Sequence, residues 1–166
     1  KQVTAENRAA LKAAEAKGVH VVITTGRPLP AITHILEDLD LLDDKHYSVT
    51  FNGGLVQRNN GDILIKKEMS REDLKQIYAV FQPLGLPMDV ISDGIVYGVP
   101  SKGNHSLYRQ ANPTLTFVDV ESIDDIPENI VYNKVVTVCE EAFLDAQIQK
   151  LPDHLYQAFE VFKSRE

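Results

Sequence analysis

The chain has 166 residues, of which 43% are hydrophobic and 25% are charged. These proportions exclude a disordered tail, a collagen-like repeat and a small disulfide scaffold, and they predict one large or two small globular domains. The formal net charge of −7 argues against a broad surface for nucleic acid or for an anionic membrane. A single cysteine, Cys139, excludes an intrachain disulfide and favours a cytoplasmic location.

The first 54 residues alternate predicted helices with predicted strands. A helix is expected over residues 5–17, after the good N-cap residue Thr4, and a second helix is expected after Pro28, where apolar residues recur every three or four positions. Between them, the β-branched run 19–23 is typical of a strand buried on both faces, and a further strand is predicted at 47–51. This order predicts part of a parallel α/β sheet in which residues 19–23 form a central strand.

Residues 55–166 follow a different pattern, of hairpins and amphipathic helices. Hairpins are predicted around Asn59-Asn60-Gly61-Asp62 and around Ser92-Asp93-Gly94, because such residues accept the positive φ angles of tight turns. Ser70 and Asp73 resemble a capping box at the start of the clearest helix. The remaining predicted elements are a short helix at 105–111, strands at 115–120 and 131–139, a helix over 144–151 and an extended segment at 155–162. We therefore expect an α+β unit, with an antiparallel sheet of four to six strands and helices on one face.

The most informative short motif is Thr25-Gly26-Arg27, which follows the predicted strand at 19–23 and precedes a predicted helix. In open α/β sheets, ligands bind at the carboxyl ends of the strands. A hydroxyl group, a glycine that permits close backbone approach, the free amides of a helix start and a guanidinium together form a compact anion site. The motif therefore predicts phosphate binding, whereas the simpler alternative is that Thr25 only caps the helix and Arg27 points into water.

The run from Val21 to Pro28, the helix after it and the later sequence Phe51-Asn52-Gly53-Gly54 resemble the haloacid dehalogenase-like hydrolases, most closely the Cof-type sugar-phosphate phosphatases. The resemblance implies an α/β fold, with a partial Rossmann-like core at residues 1–54. It also implies that residues 55–166 form an α+β cap domain, which closes over the site and selects the leaving group.

The same resemblance implies roles for individual residues. Thr25 matches the hydroxyl residue of the second family motif, so it is expected to act catalytically by holding the phosphoryl group together with Gly26 and Arg27. Asn52 and Gly53 are candidates for substrate binding. The implied reaction is Mg²⁺-dependent hydrolysis of a small phosphate ester through an aspartyl-phosphate intermediate. The expected partner is a small phosphorylated metabolite, with no nucleic acid and no membrane.

Other family motifs are not found in this sequence. The Asp-x-Asp pair that supplies the nucleophile is expected before Lys1, and the later lysine and metal-binding aspartates are expected beyond Glu166. We therefore expect an inactive fragment that contains no Mg²⁺ ligands and that self-associates through the exposed apolar surface of its partial core. The acidic residues that are present are expected to have solvated roles: Asp38, Asp40, Asp43, Asp44, Asp124 and Asp125.

Two alternatives stay open. The same core and cap resemble phosphomannomutase, which moves phosphate rather than releasing it, and the chain could instead be a non-catalytic module that binds a small molecule. The five histidines show no zinc-type spacing, and the glycine-rich motifs of dinucleotide folds and P-loops are missing. Four side chains near the second hairpin are candidates for contact with the leaving group: Tyr97, Lys102, His105 and Tyr108.

Overall fold

The structure, a computed structural model, describes residues 3–163. Within this range the helices are α1 Ala5–Glu15, α2 Thr33–Asp38, α3 Arg71–Leu84, α4 Tyr108–Ala111, α5 Glu141–Ile148 and α6 Asp153–Ala158. The strands are β1 Val22–Thr24, β2 Tyr47–Thr50, β3 Leu55–Arg58, β4 Ile63–Lys66, β5 Met88–Ser92, β6 Ile95–Val99, β7 Thr116–Asp119 and β8 Lys134–Val136. Three short 3₁₀ turns lie at Leu29–Ala31, Phe51–Gly53 and Ile123–Asp125.

The first sheet has the strand order β1-β2-β3-β4, and only its β1-β2 pair is parallel. β1 therefore lies at an edge, and the prediction of a central strand buried on both faces is wrong. Val22 in β1 is 44% exposed, whereas Ile23 packs against a cluster of buried side chains from and next to α2. A β-branched run shows that a strand packs well on at least one face, but it does not show how many neighbouring strands flank it.

The predicted division at residue 54 falls between β2 and β3, which pair with each other in antiparallel register. Thr50 lies opposite Leu55 across this pair, and β4 continues the same sheet to Lys66. The hairpin β3-β4 is thus built onto the first sheet. We propose that the division between the two units lies between Lys66 and α3.

The second sheet has the strand order β7-β6-β5-β8. Its pairs are antiparallel except for β6-β7, which is parallel. α3 begins at the predicted capping box, in which Ser70 and Asp73 bond reciprocally to each other's backbone amides. Side chains from α3, α5 and α6 share one apolar cluster with β5 and β6, so the prediction of helices on one face and the α/β fold class are confirmed.

Residues 155–162 were expected to be extended, and this prediction is wrong for the first part of the segment. α6 covers Asp153–Ala158, and Leu155 is buried in the cluster against α3. The start of this helix could have been recognised, because Pro152 precedes it and Asp153 lies in its first turn, where an acidic side chain is favourable.

The two sheets contact each other through a second apolar cluster, which we call the bridging cluster. It contains Ala31, Phe51 and Leu55 from the first unit together with Ile91, Val96, Tyr108 and Leu115 from the second. The alternation of β5 explains this arrangement, since Met88 and Val90 face α3 while Ile91 faces the first unit. Within residues 3–163, none of the helices has the length and apolar character needed to cross a membrane.

Candidate functional site

The turn after β1 is held against the end of β2 by backbone hydrogen bonds. The amide of Thr25 donates to the carbonyl of Val49 at 2.9 Å, and the carbonyl of Thr25 accepts from the amide of Asn52 at 3.2 Å. The carboxyl ends of two parallel strands therefore meet at Thr25. This is the edge at which α/β sheets bind ligands.

The side chain of Thr25 is half-buried and is not part of a packed interior. Its Oγ1 accepts a hydrogen bond from the amide of Arg27 at 3.1 Å, which leaves the hydroxyl proton available for donation to a ligand. Among residues 3–163, the amide of Gly26 has no acceptor. The helix start expected to add free amides is only the 3₁₀ turn Leu29–Ala31, so the backbone donor is Gly26 rather than a helix N-terminus.

Gly26 and Asn52 lie in direct contact. A Cβ atom at Gly26 would lie 2.1 Å from Oδ1 of Asn52, so only glycine permits this approach. Phe51 and Asn52 have φ angles of 52° and 58°, and Gly53 follows at 96°. Positive φ at a bulky residue such as Phe51 is strained, and such strain clusters at functional sites. The structure thus brings Asn52 to the Thr25 turn, whereas Gly53 shapes the exposed loop behind it.

Two cationic side chains lie at the same turn. The guanidinium of Arg27 is exposed and has no hydrogen-bond or ion-pair partner among residues 3–163. Lys134, from the second sheet, donates from its Nζ to the carbonyl of Gly26 at 2.6 Å. Burial lowers the pKa of Lys134. Sequence reasoning missed Lys134, and the only available signal was a lone lysine within the β-branched run 131–139.

The acidic residues after α2 have partners elsewhere. Asp38 lies 3.8 Å from Arg8, and Asp40 pairs with Lys12 of α1. Asp43 contacts His46 at 2.9 Å. Burial opposes the protonated form of His46, but its hydrogen bonds to Asp43 and Glu15 outweigh this effect and raise the pKa of the imidazole. These carboxylates stabilise the first unit and do not reach the Thr25 turn through any of these contacts.

Mg²⁺ requires several oxygen ligands that converge on one point. Residues 3–163 contain no group of three or more acidic, histidine or cysteine side chains that could hold a metal ion. The residues described do not fit the metal that the resemblance implies, and we derive no step through it. What the turn offers is a set of donors for an oxyanion: the Thr25 hydroxyl, the Gly26 amide and the charges of Arg27 and Lys134.

Three of the four candidates for leaving-group contact are explained by other surroundings. Tyr97 packs in the cluster against α3, Lys102 donates to the carbonyl of Pro83 at 2.6 Å, and Tyr108 belongs to the bridging cluster. His105 lines a pocket on the second sheet.

A family model for haloacid dehalogenase-like hydrolases matches residues 1–166. The chain is 30% identical over 169 aligned residues to a candidate phosphatase of Streptococcus pyogenes serotype M6, with 99% of this chain and 61% of that protein covered. It is 26% identical over 164 residues to the candidate phosphatase YxeH of Bacillus subtilis, with 98% and 61% covered. The chain therefore spans about 61% of the length of these two relatives.

Solved structures show the same fold. A haloacid dehalogenase-like hydrolase from Bacteroides thetaiotaomicron superposes with a TM-score of 0.76 at 17% identity, over 99% of this chain and 62% of that chain. A sugar phosphatase of HAD subclass IIB superposes with a TM-score of 0.64 at 19% identity, over 89% and 56%. At these identities the likeness establishes the architecture of the two sheets and their helices.

Proposed function

Since the chain belongs to the haloacid dehalogenase-like hydrolases, we propose that its gene product hydrolyses small phosphate esters such as sugar phosphates. The observation that carries the proposal is the convergence of a free hydroxyl, a free amide and two cations at the Thr25 turn. Names of relatives support the substrate class, because two are candidate phosphatases and one fold neighbour is a sugar phosphatase.

In this proposal Thr25 donates its hydroxyl proton to a phosphoryl oxygen while its Oγ1 stays oriented by the Arg27 amide. The Gly26 amide donates to a second oxygen. The side chains of Arg27 and Lys134 balance the charge that phosphoryl transfer places on these oxygens. Asn52 supports the turn through its contact with Gly26.

The nucleophilic aspartate, the aspartyl-phosphate intermediate and the Mg²⁺ ion are implied by the family and are proposed for the gene product. The acidic groups described here are paired elsewhere or exposed. We therefore propose that the 166-residue chain binds oxyanions without hydrolysing esters. A cytoplasmic location, which the single cysteine favours, stays a prediction.

The test is to assay the gene product with sugar phosphates and an aryl phosphate, measuring free phosphate and isomerised sugar phosphate in parallel. Release of phosphate is the expected result. Isomerisation without release would favour the phosphomannomutase-like alternative. Binding of phosphate without turnover by the gene product would favour a non-catalytic module and would overturn the proposal.

We also propose that the 166-residue chain self-associates through the first sheet. Both of its outer strands are exposed: Val22 on β1, and Ile63, Leu64 and Ile65 on β4. Unpaired edges of this kind pair readily with other chains. Sedimentation velocity over a range of concentrations would reveal the association, and a monomer at every concentration would contradict it.

A further inference from the structure

A pocket of about 260 Å³ lies on the second sheet, on the face opposite α3. Its floor is formed by neighbouring strands, since Asp89 of β5 lies opposite Gly98 of β6, and Gly98 in turn lies beside Asp119 of β7. Alternation along β5 and β6 places Asp89 and Gly98 on the same face as Ile91 and Val96 of the bridging cluster. The pocket is therefore on the side of the second sheet that faces the first unit.

Asp89 is unusual because it is only 2% exposed and has no cation bonded to it. Its Oδ2 accepts a hydrogen bond from the hydroxyl of Ser106. No donor within residues 3–163 is hydrogen-bonded to its Oδ1. Burial raises the pKa of Asp89 to about 6. A buried carboxyl group with one hydroxyl partner is costly for folding, so its structural surroundings do not account for it.

Space for a ligand exists between two carboxyl groups. A Cβ atom at Gly98 would lie 3.5 Å from Oδ1 of Asp89 and 3.3 Å from Oδ1 of Asp119. Glycine at this position therefore keeps the gap between the two oxygens open. A residue with a side chain would fill the gap and would crowd both acceptors.

The rim of the pocket is held in place by Arg109. Its Nη2 lies 2.9 Å from each carboxylate oxygen of Asp119, and its guanidinium lies 5.0 Å from the centre of the Phe117 ring. The pocket thus combines oriented acceptors with a fixed donor group and apolar walls. Hydroxyl groups on a small carbon skeleton match such a lining, because they both donate and accept, while their C–H faces pack on apolar surface.

The pocket adjoins the phosphate-binding turn through Tyr108. Burial raises the pKa of the Tyr108 phenol, the charge of Asp89 raises it further, and the charge of Arg27 lowers it. Tyr108 therefore lies within electrostatic reach of both sites. At the tip of the hairpin β5-β6, a Cβ atom at Gly94 would lie 3.5 Å from Pro30, so the second sheet also touches the first unit just beyond the turn.

We propose that the pocket between Asp89, Gly98 and Asp119 binds the hydroxylated part of the substrate, a polyol or a sugar, with Oδ1 of Asp89 accepting a hydrogen bond from a ligand hydroxyl. The proposal rests on the proposed phosphatase function for its biological meaning, but the pocket is tested without catalysis. Glycerol, ribose and glucose, none of which carries phosphate, serve as probes.

The experiment titrates each probe to 100 mM into the isotope-labelled 166-residue chain and follows backbone amide shifts by NMR. At least one probe is expected to shift the amides of Asp89, Gly98 and Ser106 saturably. D89N should weaken binding about 10-fold or more, as expected for loss of a hydrogen bond to a charged group. G98A should do the same by filling the gap, whereas D153N, on the exposed first turn of α6, should bind like the parent chain.

The pH dependence gives a second readout. Hydrogen bonds from a ligand favour the ionised carboxylate, so affinity should rise from pH 5 to pH 7.5 in the parent chain and stay flat in D89N. Other charged or titratable groups face this region: Arg109, Asp119, His105 and Tyr108. Because His105 lines the same pocket, the pH series is repeated in H105N, where the rise should persist.

Absence of saturable shifts with all three probes, or equal binding by D89N and the parent chain, would overturn the pocket assignment. Polyol binding by a gene product that releases no phosphate would uphold the pocket and overturn the phosphatase. The two failures are therefore separated by independent measurements.

Discussion

Replacing Thr25 by valine should weaken the binding of inorganic phosphate to the 166-residue chain about 10- to 100-fold. Valine has nearly the same shape but lacks the hydroxyl group, and a hydrogen bond to a charged group contributes about 1.5–3 kcal/mol. In the gene product, where the phosphoryl group gains charge during transfer, kcat/KM should fall roughly 100- to 1,000-fold. Isothermal titration calorimetry measures the first effect, and phosphate release measures the second.

Serine at position 25 is the matched control, because it keeps the hydroxyl group and its acceptor contact with the Arg27 amide. T25S should retain phosphate affinity within about threefold, since only a methyl group is removed (a factor of three is about 0.65 kcal/mol). Equal affinities for T25V and the parent chain, at equal thermal stability, would show that the hydroxyl does not contact the ligand. The assignment of the site to the Thr25 turn would then fail.

Replacing Ile91 by alanine should destabilise the chain by about 2–5 kcal/mol. Ile91 is 0% exposed and lies in the bridging cluster, so its truncation leaves a cavity at the contact between the two sheets. For a domain of this size the expected fall in Tm is roughly 4–20 °C. Urea unfolding followed by circular dichroism gives the free energy of unfolding, and calorimetry gives Tm.

Ile95 provides the comparison, because it lies on the same hairpin and is 38% exposed. I95A should cost less than about 1 kcal/mol, since much of its side chain already contacts water. If I91A is no more destabilising than I95A, the bridging cluster does not hold the two units together. The closeness of Lys134 to Gly26 would then lack its structural support.

Elements that depend on short stretches of sequence were predicted well. The capping box at Ser70 and the hairpin turns at residues 59–62 and 92–94 were confirmed, because each depends on residues within a few positions of one another. The family resemblance, of Cof type, was likewise recognised from Thr25-Gly26-Arg27 and its spacing to Asn52, and it is confirmed by the match over residues 1–166.

Elements that depend on distant neighbours were predicted poorly. β1 was expected at the centre of a sheet and lies at an edge. The second sheet was expected to be antiparallel, yet β6 and β7 are parallel. Pairing partners are chosen by the packing of whole elements, and residue type along one strand carries little information about them.

The amino-acid sequence by itself determined the turn at Thr25, because a hydroxyl, a glycine and an arginine in succession define its donors and its backbone freedom. Only the tertiary structure decided what surrounds that turn. Lys134 reaches Gly26 across 108 positions of the chain, and Asp89 lies beside Gly98 and Asp119 on three neighbouring strands. Such contacts arise when apolar faces pack and bring distant segments together, and no local pattern in the sequence encodes which polar groups then meet.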